Sequence, residues 1–109
     1  MGMAMLIGGD NIKTSFLEVM GDSPINKVID FLIENDRESW SMIEICKNAN
    51  VGYSTLKLIL PQLLKYDLII IKKTVGKINF YQINKESIIV KRIYSLYEET
   101  NVCMMENFK

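Results

Sequence analysis

The period of the apolar residues changes at Leu68, and that change limits the fold more than any other feature of the chain. Upstream, Ile25, Val28, Ile29, Leu32 and Ile33 recur three and four apart, which puts them on one stripe of a helix opposite Asn26, Lys27, Asp30 and Glu34. Downstream, Leu68-Ile69-Ile70-Ile71-Lys72-Lys73 is rich in β-branched residues, and Ile78-Asn79-Phe80-Tyr81-Gln82-Ile83 alternates, with Thr74 to Lys77 between them. That pattern predicts a β-hairpin. Helical spacing then returns with Ile89, Val90, Ile93, Leu96 and Tyr97. The chain should therefore be mainly α, with one small hairpin near its C-terminal third.

Capping residues punctuate the helical part. Ser15 with Glu18 three residues on forms a capping box for a short helix through Phe16, Leu17, Val19 and Met20, which Gly21 ends. Ser23 and Pro24 supply an N-cap and an N1 proline for a helix to about Asn35. Ser41 and Glu44 form a second box, opening a helix that ends near Asn48 or Ala49 with Ile45 and Cys46 turned inward. Asn50-Val51-Gly52 breaks it, since Asn and Gly tolerate left-handed backbone. The next helix starts near Tyr53, carries Leu56, Ile59 or Leu60, Leu63 and Leu64 on one side, and contains Pro61, which removes a backbone hydrogen bond and favours a bend. Asn84 is placed to cap the last helix.

The 109 residues suffice for one core and are too few for two. The boundaries predicted are a flexible leader over 1–14, the domain over 15–100 and a tail over 101–109. Lys, Asp, Glu or Asn interrupts every apolar run before membrane-spanning length. Met1 to Ile7 is apolar but lacks a basic start, so a cytoplasmic location is expected. Histidine is absent, and Cys46 and Cys103 stand far apart, which argues against zinc sites, histidine-based catalysis and a disulfide framework. No phosphate-binding glycine loop is present. Neither an enzyme, a metal nor a cofactor is expected.

Net charge is zero, yet the charges are segregated. Residues 1–46 carry three basic side chains against eight acidic ones, whereas residues 47–92 carry nine against two. A basic centre between acidic ends suggests one polyanion-facing side. Scattered solvated lysines are the alternative.

The order helix, helix, turn, helix, hairpin is that of a winged helix-turn-helix, and Glu44-Ile45-Cys46-Lys47-Asn48-Ala49-Asn50-Val51-Gly52-Tyr53-Ser54-Thr55-Leu56 resembles the helix-turn-helix of MarR/ArsR-type bacterial and archaeal regulators. Cys46 takes that pattern's small site, Asn50 its turn, Val51 its apolar anchor and Gly52 its cap. Asn50 stands where Gly is usual and Gly52 where Ser is commoner. Leu63 to Ile69 and the Gly76-Lys77 wing follow in the family's order, and the likeness covers about residues 23–97, most closely an archaeal-looking subgroup. The resemblance implies a transcription regulator that binds double-stranded DNA as a homodimer, with extra N- and C-terminal helices around the winged helix.

With Leu56, Leu60, Leu63 and Leu64 inward, Tyr53, Ser54, Lys57, Leu58 and Pro61 face outward. A recognition helix over about 53–66 would present its N-terminal turn, Gly52 to Thr55, to DNA, with Ser54 and Lys57 on base edges and Tyr53 on sugar or phosphate. Lys72, Lys73 and Lys77 cluster on a wing over about 68–83, where they would meet the backbone or guard the hairpin edge. A protein-interaction module is the competing function, because helix-turn-helix units also serve that purpose. Phe16, Leu17, Met20, Ile89, Ile93, Leu96 and Tyr97 exceed what one winged helix needs to bury and are the expected dimer interface, unless they pack on their own domain. Trp40 is expected as core or wing-root packing, Cys46 as a small core residue, and Cys103 as part of the flexible tail.

Overall fold

The computed structural model describes residues 13–106, which form five helices and one antiparallel hairpin. The expected leader lies outside the described residues except for Lys13 and Thr14, and both of these are engaged. Lys13 pairs with Asp22 at 3.0 Å, and Thr14 caps α1 (Ser15–Met20) by accepting from the Leu17 N–H. The cap is thus one residue earlier than Ser15. Helix α2 (Pro24–Glu34) opens on Ser23 with proline in its first turn. Helix α3 (Met42–Ala49) opens on the reciprocal Ser41–Glu44 box.

Asn50 ends α3 in left-handed backbone, φ 57°, and swings Val51 into the core at 7% exposure. Helix α4 (Tyr53–Lys65) follows and continues through Pro61. Its end is a Schellman closure: Leu68 N–H donates to the Leu63 carbonyl, Asp67 N–H to that of Leu64, and Asp67 takes φ 59° where glycine is the usual occupant.

The hairpin pairs β1 (Ile69–Val75) with β2 (Ile78–Ile83), so the first strand runs two residues further than the sequence suggests and only Gly76 and Lys77 form the loop. Gly76 takes φ 63°, the positive value that a two-residue hairpin loop needs at its first position. Ile71 pairs with Tyr81 and Lys73 with Phe80, leaving Lys72 in a bulge. Trp40 and Tyr81 exchange two backbone hydrogen bonds of 2.8 Å, while the indole packs edge-on against Phe31 and donates to the Asn35 carbonyl. The tryptophan thus packs between the core and the hairpin.

Helix α5 (Ile88–Glu106) starts four residues after Asn84. Ser87 accepts from the Val90 N–H in the manner of an N-cap, and Asn84 instead bonds the Glu86 N–H and the Asp67 carbonyl, tying the hairpin base to the end of α4. The helix also runs through Asn101 to Glu106, so Cys103 is an exposed helical residue rather than part of a loose tail. Val28 and Leu32 of α2, Ile45, Leu56 and Leu63 of α3 and α4, Ile69 of β1 and Val90 of α5 are fully buried together. One core therefore fixes α4 and the hairpin relative to each other.

Candidate nucleic-acid interface

Helix α4 buries Leu56, Leu60 and Leu63 and turns Tyr53, Ser54, Lys57, Leu58 and Pro61 outward, as its apolar spacing requires. Leu58 is 79% exposed and Tyr53 51%, large values for residues of this size. Thr55 is half-buried and contributes less to the outward face than its neighbours. Gly52 caps α4 without a side-chain hydrogen bond, whereas Thr14, Ser23 and Ser41 cap the three preceding helices. Its φ of −66° is ordinary, and an added Cβ would find nothing nearer than Thr55 Oγ1 at 4.0 Å. The consequence is a first turn whose N–H groups lack a side-chain acceptor and open onto exposed residues, at the positive end of the helix dipole.

The hairpin brings one predicted residue to this turn. Tyr53 and Lys77 line a single cleft of about 280 Å³, with Ser41, Ile43, Ile78 and Asn79 among its other walls. Lys72 and Lys73 do not line it. Lys73 holds its ammonium 4.9 Å from the centre of the Phe80 ring, so part of its charge is engaged on the hairpin itself. Sequence reasoning missed Ser41, Ile43, Ile78 and Asn79, because their approach to Tyr53 depends on the Trp40–Tyr81 bridge. Ile43 and Ile78 do carry a local signal: each is an apolar residue outside the helical or alternating set that faces the core.

Lys57, Lys72 and Lys77 make no salt bridge among the described residues. Three basic side chains of the opposite end are engaged. Lys13 pairs with Asp22, Lys85 with Asp36 at 3.2 Å, and Lys27 donates to the Asn50 carbonyl at 3.0 Å. A larger cleft, about 680 Å³, also lies there, between Lys13, Asp22, Lys27, Asp30, Glu34 and Lys47. Size does not make it the better site, since three basic and three acidic side chains line it together and leave little net field.

Asp30 corrects the expectation that it lies on the solvent side of α2. It is 9% exposed and accepts from Thr14 Oγ1 at 2.7 Å, and burial raises its pKa despite that bond. Beside it the Tyr97 hydroxyl donates to Glu34, and burial together with that carboxylate raises the phenol pKa. Tyr94 donates to Asp36 at 2.6 Å; this bond and Lys85 hold the Asp36 carboxyl below its usual range.

The same end corrects part of the expected dimer interface. Phe16 and Tyr97 stack on each other with centroids 5.4 Å apart and are 3% and 7% exposed; Leu17 is buried with them. Helix α1 covers the inward face of α5, which supplies the burial that a second subunit was expected to provide. Met20, Ile89 and Leu96 remain exposed, and Ile93 is half-buried.

Compared with protein-family models, curated proteins and solved structures, the chain matches none. Among the described residues no helix is long and apolar enough to cross a membrane, and no three His, Cys, Asp or Glu side chains are grouped to hold a metal ion.

Proposed function

We propose that the protein is a winged helix-turn-helix regulator that binds double-stranded DNA, with α4 in the major groove and the hairpin on the sugar-phosphate backbone. The observation that carries this reading is the shared cleft of Tyr53 and Lys77, beside an α4 face whose lysine makes no ion pair within the described chain. An uncapped first turn offers N–H groups to phosphate, Ser54 and Lys57 reach base edges, and Lys72 and Lys77 neutralise the backbone. The zero net charge is compatible with this role, because Asp22 and Asp36 are paired with Lys13 and Lys85 away from this face, whereas Lys57, Lys72 and Lys77 make no ion pair among the described residues.

A second reading has its own support. Ile43, Leu58, Val75 and Ile78 are 55–79% exposed on α3, α4 and the hairpin, an apolar share that suits a protein partner. Titrating fluorescent duplex DNA at several salt concentrations separates the two. DNA binding predicts a log affinity that falls linearly with log salt. Affinity that is absent or indifferent to salt favours the protein-interaction module.

A further inference from the structure

Leu58, on the outward face of α4, is the most exposed large apolar residue among those described, at 79%. Pro61 lies three residues on and is also exposed, in a helix interior where proline costs stability and here gains no burial in return. Side chains three apart on a helix are neighbours, so the two form one apolar spot. Uncharged Ser54 stands one turn before Leu58 and uncharged Gln62 one turn after it, both exposed. The only charged residues of α4 are Lys57 and Lys65; the helix carries no acid. An apolar spot bordered by positive charge alone differs from the centre of a protein interface, which is depleted of charged residues. It matches a polyanion that has an apolar group of its own.

We infer that Leu58, with Pro61 beside it, packs on the 5-methyl group of thymine, a contact that rests on the reading of α4 as the helix in the major groove. The helix then selects T·A base pairs where Leu58 meets the groove. Every base pair presents hydrogen-bonding groups there, but only thymine adds an apolar one. Ser54 and Lys57 can bond the polar groups. A leucine cannot, and on any other base it shields a polar edge from water without replacing the lost bond. Leu58 thus adds an apolar criterion to the polar ones supplied by its neighbours, and the exposure that would suit a protein partner becomes a source of base selectivity.

Duplexes recovered from a random-sequence library by repeated rounds of binding supply the probe. Each thymidine of the recovered duplex is replaced in turn by deoxyuridine, which keeps every base-pair hydrogen bond and removes only the methyl group. Wild-type affinity should fall about fourfold at one or more thymidines, the factor that corresponds to one buried methyl. Leu58→Ala should bind the thymidine and deoxyuridine duplexes equally. Leu58→Gln, polar and a good helix former, gives the same comparison should the alanine variant not fold. Placing C·G at the sensitive position should weaken wild-type binding, and 5-methylcytosine, which carries its methyl at the same place in the groove, should recover about fourfold. Salt-dependent affinity that is indifferent to every deoxyuridine, or to 5-methylcytosine, overturns the thymine contact and leaves α4 in the major groove. So does a deoxyuridine loss that persists in both Leu58 variants, because another group then senses the methyl. Absence of salt-dependent affinity for any duplex in the library overturns the placement of α4 in the groove, and the thymine contact with it.

Discussion

The two ends of this small domain handle charge in opposite ways. At the α4 and hairpin end, Lys57, Lys72 and Lys77 are exposed and make no ion pair among the described residues. Where α1, α2 and α5 meet, Asp22, Asp30, Glu34 and Asp36 each have a partner in Lys13, Thr14, Tyr97 or Tyr94, and Lys85 adds a second bond to Asp36. Charges held by internal partners contribute to stability and add little external field, whereas uncommitted ones cost little and are free to act outward. A chain of zero net charge can in this way keep one basic face.

The largest effect should come from stripping that face. Lys72→Ala with Lys77→Ala should weaken binding to every duplex by about tenfold per lost contact, and flatten the slope of log affinity against log salt by about 0.9 each. Thermal unfolding should stay within about 0.5 kcal/mol of wild type, because both side chains are exposed and unpaired. Lys73 is left in place because its stacking on Phe80 would mix stability into the result. A large fall in melting temperature, or unchanged binding, would remove the contrast between the two ends.

Tyr97→Phe makes the converse change. It keeps the stack on Phe16 and deletes the hydroxyl, leaving Glu34 without its donor beside buried Asp30. A lost bond to a charged acceptor is worth about 1–3 kcal/mol, a fall of roughly 4–12 °C in Tm for a domain of this size. DNA affinity of the folded variant should not move. A smaller effect belongs to Ser54→Ala, which should cost about 1 kcal/mol on the preferred site and nothing on random duplex, since a base contact counts only where the right base is present. Equal losses on both would make Ser54 a backbone contact.

How much of this was legible in the sequence depends on the range of the interactions involved. Ser23-Pro24, Ser41 with Glu44, and the Asn50 turn act within four residues, and each sits where local chemistry puts it. Ser87 displaced Asn84 as the last cap because Asn84 is engaged by Asp67, seventeen residues away, a partner that spacing does not reveal. Asp30 looked solvent-facing from α2 alone, but Thr14, sixteen residues upstream, and Tyr97 of α5 both lie against it. Phe16, Leu17 and Tyr97 looked surplus for the same reason: each face was visible, but not that the two faces are complementary. On the candidate interface, the outward set of α4 followed from its leucines, while the meeting of Tyr53 with Lys77 needed the backbone bridge at Trp40.

The smallest effect tests whether even the acidic end is uniform, through two aspartates whose pKa values move in opposite directions. Burial raises that of Asp30, so its contribution to stability is full below the ordinary aspartate pKa of about 3.9 and is lost as pH rises through the folded value. Tyr94 and Lys85 lower that of Asp36, so its contribution is full above about pH 3.9 and is lost as pH falls through the folded value. Replacing each by Asn removes its titration while keeping an acceptor for Thr14 or Tyr94. The difference in Tm, variant minus wild type, should therefore rise with pH for Asp30→Asn and fall with pH for Asp36→Asn. Each curve should change in the acid range and flatten by neutrality, with the Asp36 effect below about 1 kcal/mol because that pair is partly solvated. Glu34 and Tyr97 face Asp30, and Arg37 adds to the field at Asp36, so both curves are best repeated at high salt, which shrinks the Asp36 difference and spares the one set by burial. Two curves of the same sign would mean that desolvation and pairing are not divided between these aspartates as their positions imply.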